Sequence, residues 1–182
     1  MEQSSLFSEI KKNGIPAFWE KSAQMQEAYS LKTKGWTKQV HWKESSIPGA
    51  GLGVFASELI PAGWPYRILK HQQNMIVLNG PADVPPLTET TKSFLSNYAA
   101  QIDGVCFMML PGSSLNHYAH GKNTKLVKVS DVEVHGVTTK DIEAGQELLA
   151  DYKDYGKPPQ WLTKFVKDNH TKLCFGDNVP FL

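Results

Sequence analysis

The sequence predicts a mostly β fold with small helices (α+β), in which several sheets of short strands lie between a helical N-terminal extension and a C-terminal helix. Two observations predict this class. From Trp36 to about Tyr152, short apolar runs alternate with glycine and proline, which is typical of short strands joined by turns. Apolar residues recur at helical spacing mainly near the two ends and in one central segment.

Residues 1–45 are expected to be helical and then extended. A first helix, capped by Ser4 or Ser5, ends at Asn13-Gly14, and a second runs from Pro16 to about Ser30. Further along the chain, one helix is expected over 88–98, capped by Thr88, and another over 158–167. The predicted strands cover residues 40–42, 54–56, 66–69, 75–78, 105–110, 126–129, 132–138 and 147–152.

The composition excludes several classes of protein. The 182 residues carry a net charge of +1, so a field that attracts nucleic acid is not expected. The two cysteines, Cys106 and Cys174, are too few for a disulfide framework or a four-cysteine zinc site, and they indicate a reducing compartment. No apolar run approaches the ~20 residues that span a bilayer, and residues 1–12 lack a signal-peptide core. We therefore expect an intracellular protein of the nucleus or cytoplasm that makes no membrane contact.

A glycine-rich turn, Gly49-Ala50-Gly51-Leu52-Gly53, leads into an apolar strand. Such a run lets a ligand approach the backbone, because glycine has no Cβ and adopts positive φ readily. The run lacks the lysine and hydroxyl residue of a phosphate loop, and no long helix follows it as in a dinucleotide-binding turn. Taken alone, it is more often a plain turn.

Two later motifs carry polar and aromatic side chains. The first is the pair Asn116-His117, which Asn123 follows. The second is an acidic turn around Glu143 that leads through an apolar strand to Asp151-Tyr152. Taken alone, each motif is more often structural than functional.

Together and in this order, the three motifs resemble those of the SET-domain protein lysine methyltransferases, especially the compact, zinc-free type that includes the viral histone methyltransferases. The resemblance covers about residues 46–156. It implies a SET domain over 46–157, preceded by the extension at 1–45 and followed by a post-SET lid segment at 158–182. The cysteine-rich zinc site of other members is absent from the sequence, so no metal is expected and the lid is expected to close by apolar packing.

The resemblance implies S-adenosyl-L-methionine as the cofactor and assigns roles to particular residues. Tyr152 takes the central catalytic role, Tyr98 lines the channel for the substrate lysine, and Tyr155 is a channel or lid residue. The residues implied to bind the cofactor are Ala50, Gly51, Leu52, Gly53, Asn116, His117 and Trp161. Among them, the glycine turn acts through its backbone, and Trp161 covers the adenine.

The activity implied is transfer of a methyl group to a lysine of a protein or peptide, with a histone tail, and hence chromatin, as the substrate class. Methyl transfer is an in-line displacement, and it is largely a problem of positioning. The amine must be neutral, and a narrow apolar channel beside a sulfonium cation disfavours the ammonium form.

Two departures from the family pattern keep alternatives open. The loop from Tyr118 to Asn123 is longer than usual, and the usual Tyr-x-Gly is replaced by Ile68-Leu69-Lys70-His71. A catalytically silent SET fold that binds peptides or serves as a scaffold is therefore a second hypothesis. A third is an unrelated small β domain, which a large separation of Gly51 from Asn116 would establish.

Overall fold

The computed structural model describes residues 3–15, 35–109, 116–117 and 121–173, and the side chains of 8–15, 35–109 and 121–173. In chain order the elements are α1 (Gln3–Asn13), β1 (Val40–Glu44), β2 (Leu52–Ala56), β3 (Pro65–Lys70), β4 (Met75–Val77), a 3-10 turn (Pro81–Asp83), α2 (Glu89–Tyr98), β5 (Ala99–Ile102), β6 (Val105–Met109), β7 (Asn116–His117), β8 (Thr124–Ser130), β9 (Glu133–Thr138), β10 (Leu149–Ala150), a second 3-10 turn (Tyr152–Asp154) and α3 (Gln160–Asp168). The helix predicted for residues 16–30 and the residue Cys174 lie outside the described residues.

The strands of the described chain form four small sheets. β1 pairs with β2, β9 lies between β3 and β8, β6 lies between β4 and β5, and β7 pairs with β10. Every pair is antiparallel except β7–β10, which is parallel. The predicted class, a mostly β architecture of small sheets with a few short helices, is therefore confirmed.

Local sequence signals explain where the helices begin and end. The Thr88 hydroxyl accepts a hydrogen bond from the Thr91 N–H, which caps α2 as predicted. Gly14 ends α1 with a φ of 82°, and a Cβ at this position would lie 2.7 Å from the Pro86 carbonyl oxygen. Ser4 and Ser5 lie within α1, so the prediction that one of them caps this helix is wrong.

Two strand predictions need correction. The strand predicted for 147–152 covers only Leu149–Ala150 in the structure. It ends there because the Asp151 side chain accepts a hydrogen bond from the Lys153 N–H and starts a 3-10 turn. Tyr152 is the first residue of that turn. β5 (Ala99–Ile102) was not predicted, although it follows α2 directly and pairs with β6.

The centre of the core is the sheet of β4, β6 and β5. Every residue of β4 and β6 is buried, which matches their continuous apolar sequences. Cys106 lies in β6, and burial raises its pKa to about 12, so this thiol is structural rather than reactive. No helix in the described ranges has both the length and the apolar content needed to cross a bilayer.

The end of the N-terminal extension packs directly onto the region after residue 45. β1 pairs with β2 along its whole length. The Trp36 ring lies 5.8 Å from the Tyr66 ring and 4.3 Å from the buried guanidinium of Arg67. Burial lowers the pKa of Arg67 to about 9. The division at residue 45 stays a prediction, and these contacts join the two sides of it.

Candidate functional site

The three sequence motifs meet through their backbones. The glycine turn leads into β2, whose Val54 carbonyl accepts a hydrogen bond of 2.8 Å from the Leu148 N–H. The Asn-His motif forms β7, in which Asn116 is paired with Leu149 and His117 with Ala150. The acidic motif therefore lies between the other two, bonded to β2 by its first half and to β7 by its second.

The direction of these pairings decides where Tyr152 lies. Phe55 bridges Glu147 in antiparallel orientation, so residues before Phe55 run beside residues after Glu147. The glycine turn precedes β2, and Tyr152 follows β10 closely. Both therefore lie at the same end of this pair of segments.

Glu147 ties the glycine turn to the acidic motif, a role that the sequence did not reveal. The residue is 6% exposed, and its carboxylate accepts hydrogen bonds from the Ser45 hydroxyl (2.8 Å), the Ser46 N–H (2.9 Å) and the Ser46 hydroxyl. A Cβ on Gly53 would lie 2.1 Å from the Glu147 Oε1 atom. Gly53 is therefore required by the carboxylate packed against it.

The other glycines of the turn serve its backbone conformation. Gly49 and Gly51 have φ values of 77° and 73°, and a Cβ on either would meet open space. The Ala50 N–H donates to the Ile47 carbonyl, and the Gly51 carbonyl accepts from the Ser45 N–H. Leu52 is 41% exposed at the start of β2. A ligand at this turn would have to use backbone groups other than those two.

Asn123 holds the strand that precedes Tyr152. It is buried, its side chain donates to the Glu147 carbonyl (2.8 Å), and it accepts from the Leu149 N–H (2.8 Å). The Thr124 hydroxyl donates to the Leu149 carbonyl, also at 2.8 Å. The sequence placed Asn123 in the Asn-His motif without a role. The structure makes it an anchor for β10. For Asn116 and His117 only the backbone is described, so their proposed side-chain contacts remain predictions.

Tyr152 and Tyr155 form a stacked pair. Their ring centroids are 5.3 Å apart and their planes differ by 26°. Tyr152 is half-buried, whereas Tyr155 is 5% exposed. Burial raises the pKa of Tyr155 well above its usual value, and the neighbouring Tyr152 and Tyr66 add to that shift. The Tyr155 hydroxyl is therefore neutral at physiological pH.

Tyr66 is a third tyrosine, close enough to Tyr155 to raise its pKa. It is buried in β3, and burial raises its pKa to about 12. Its ring lies against Gly136, where a Cβ would come within 2.6 Å of the ring. Tyr66 is thus a core residue that fills space against β9.

The remaining predicted residues are placed on neighbouring elements. Tyr98 is the last residue of α2 and is half-buried, and its ring centroid lies 4.7 Å from that of Phe94. β5 follows it, and a Cβ on Gly156 would lie 3.1 Å from the Gln101 carbonyl oxygen of β5. The chain just after Tyr155 therefore runs beside β5, the strand that follows Tyr98. Trp161 lies on α3 and packs against the core, and its position over an adenine remains a prediction.

A lysine and two aspartates surround the turn that carries Tyr152. The Lys122 ammonium lies 2.8 Å from an Asp154 carboxylate oxygen and 3.5 Å from an Asp151 oxygen. Asp154 raises the pKa of Lys122 by accepting its hydrogen bond, so this lysine is held charged. In the part of the chain that the structure describes, no group of three histidine, cysteine or acidic side chains is arranged to hold a metal ion.

The buried tyrosines predict a loss of stability at alkaline pH. An unfolded tyrosine ionises near pH 10, whereas the raised folded pKa of Tyr66 keeps its proton bound to about pH 12. The contribution of Tyr66 to the free energy of unfolding is therefore fully present below about pH 10. As the pH rises towards 12, roughly 3 kcal/mol of this stability is lost. Urea denaturation at several pH values between about 8 and 11 measures the part of this loss that occurs below pH 11. The variant Tyr66→Phe should show a shallower decline, and an unchanged decline would contradict the assignment.

Comparison with known proteins gives structural neighbours only. No family model and no curated protein sequence matches the chain. A crystal structure described as a candidate histone methyltransferase of Plasmodium falciparum is 17% identical, with a TM-score of 0.44, and the match covers 67% of this chain and 96% of that one. The structure of CpSET8 from Cryptosporidium is 19% identical, with a TM-score of 0.45, and the match covers 86% of this chain and 78% of that one. A structure of ctPRC2 in an autoinhibited conformation bound to S-adenosylmethionine is 23% identical, with a TM-score of 0.45. The match covers 73% of this chain and 17% of that one. These chains are what the protein is similar to, and at these identities the likeness concerns the fold alone.

Proposed function

We propose that this chain transfers a methyl group from S-adenosylmethionine to a lysine side chain of a protein, with a histone as the substrate class. The observation that carries the proposal is the meeting of the three motifs in one place. β2 is bonded to the first half of the acidic motif, β7 is paired with β10, and Tyr152 follows β10. Such a substrate would place the protein in the nucleus or the cytoplasm.

The glycine turn fits the proposed cofactor on one count. Open space lies beside Gly49 and Gly51, so a ligand can approach the backbone there. The other residues proposed to contact the cofactor are Ala50, Leu52, Gly53, Asn116, His117 and Trp161. The cofactor supplies a methyl group bonded to a positively charged sulfur.

The tyrosines would prepare the lysine for attack. Their aromatic faces attract a cation, and their neutral hydroxyls can orient an amine by hydrogen bonding. Tyr152 is half-buried and can present its hydroxyl to a substrate, while the buried Tyr155 supports its ring. Tyr98 would form another wall of the channel. An apolar channel disfavours the ammonium form of the lysine, whose free pKa is ~10.4, so no separate general base is required.

The test is methyl transfer from labelled S-adenosylmethionine to a panel of histones and lysine-containing peptides, read by mass spectrometry. Cofactor binding is measured separately by calorimetry. We expect micromolar binding and a mass increase on a lysine. Binding without transfer to any member of the panel would contradict the histone assignment. Absence of both would favour the alternative of a silent SET fold that binds peptides or serves as a scaffold.

A further inference from the structure

Lys122, two residues before β8, reaches the turn that carries Tyr152. The Lys122 ammonium contacts both Asp154 carboxylate oxygens, at 3.0 and 2.8 Å, and one Asp151 oxygen at 3.5 Å. Asp151 is 9% exposed. A partly buried acid that shares its cation with a second acid gives a more ordered contact than an isolated surface pair.

The two aspartates stand on either side of Tyr152. Asp151 precedes it and caps the turn by accepting from the Lys153 N–H at 3.0 Å. Asp154 follows it, and its own N–H donates to the Asp151 carbonyl at 3.0 Å. A cation that binds both carboxylates therefore closes the turn across Tyr152 and limits how far that residue can move.

Lys122 is itself well placed to do this. The next residue, Asn123, is buried and bonded through its side chain to Glu147 and Leu149, and its N–H donates to the Leu149 carbonyl at 3.1 Å. The backbone at Lys122 is thus fixed to the strand that leads into Tyr152. Little further ordering is needed to form the ion pairs, which reduces their entropic cost.

We propose that Lys122 is a positioning residue for Tyr152: by bridging Asp151 and Asp154 it fixes the 3-10 turn so that the Tyr152 hydroxyl is held in its reactive place. This inference rests on the proposed methyl transfer. It gives Lys122, a described residue between β7 and β8, a purpose in the site.

The variants Lys122→Met and Lys122→Arg test the proposal, with Lys125→Met as the matched control because Lys125 is an exposed lysine nearby on β8. We expect Lys122→Met to lower kcat about fivefold, the size of a well-ordered ion pair, with KM for the peptide nearly unchanged. Lys122→Arg should restore most of the rate, and Lys125→Met should match the wild type. Equal rates for wild type and Lys122→Met, or a rise in KM alone, would overturn the proposal.

A double-mutant cycle identifies the partner. Asp154→Asn alone should reproduce the loss of Lys122→Met, and combining the two should add little, because both remove the same contact. Additive losses would mean that the two residues act independently, against the proposal.

A measurement without catalysis separates this inference from the proposed function. Lysines are labelled with an amine-reactive reagent, and the label at each site is quantified by mass spectrometry. We expect Lys122 to react more slowly than Lys125 in the wild type and faster in Asp154→Asn. If the wild type transfers no methyl group yet Lys122 is protected, the proposed function fails while the ion pairs stand. If Lys122 reacts as fast as Lys125, the positioning role fails whatever the activity.

Discussion

Replacing Tyr152 with phenylalanine is expected to lower methyl transfer by roughly 10²–10³-fold, the typical loss when one hydroxyl or N–H that acts on the transition state is removed. The fold should survive, because the ring of phenylalanine can keep the stacking on Tyr155 at a centroid distance of 5.3 Å. Cofactor affinity should change little, since the hydroxyl is proposed to orient the amine of the substrate. Labelled transfer gives kcat, and calorimetry gives the affinity for S-adenosylmethionine.

The matched control for this experiment is Tyr66→Phe. It also removes one tyrosine hydroxyl close to Tyr155, but from a buried position in β3. We expect its transfer rate to stay within a few-fold of wild type under conditions where it is folded. Equal activity of Tyr152→Phe and wild type would remove Tyr152 from the mechanism, and equal losses in both variants would point to a structural cause.

Gly53→Ala is expected to have the second large effect. It should lower both the free energy of unfolding and the affinity for the cofactor. The new methyl group would lie 2.1 Å from the Glu147 Oε1 atom and 3.1 Å from the Phe55 ring. The carboxylate must then move and lose its bonds to Ser45 and Ser46 while it remains buried. Overpacking together with an unsatisfied carboxylate costs roughly 2–4 kcal/mol. Urea denaturation measures the free energy of unfolding, and calorimetry measures cofactor binding.

Gly49→Ala separates this clash from the general cost of replacing a glycine in the same turn. Gly49 has a φ of 77°, and a Cβ there would meet open space. Its replacement should therefore cost only the strain of the left-handed conformation, about 1 kcal/mol. A Gly53→Ala variant no less stable than Gly49→Ala would show that Glu147 does not enforce the glycine.

The sequence predicted most of the fold because the relevant signals are local. Thr88 caps α2 through a residue three positions away, and the strands follow short apolar runs. β5 was missed because its sequence, Ala-Ala-Gln-Ile, carries a weak strand pattern. The pair Asp103-Gly104 was the available sequence signal, because an Asp-Gly pair favours a two-residue hairpin turn. In the structure the two residues have φ values of 46° and 83° and join β5 to β6.

The sequence indicated candidate site residues through short motifs and the family resemblance, but it did not indicate what holds them together. The residues that hold these motifs together act across long stretches of chain: Glu147 bonds Ser45 and Ser46, and Asn123 bonds Leu149. Spacing along one sequence carries no information about such partners. For the same reason, the contact of Lys122 with Asp154 could not be predicted from the sequence.

The parallel pairing of β7 with β10 has a consequence for the order of folding. The hairpins β1–β2, β5–β6 and β8–β9 each join strands that are close in sequence, so little chain entropy opposes their closure. β7 and β10 are separated by the whole of the β8–β9 hairpin, so their pairing closes a longer stretch of chain at a greater entropic cost unless that hairpin forms first. A chain with its hairpins already formed therefore still has to pair β7 with β10, the strand that leads into the stacked Tyr152 and Tyr155.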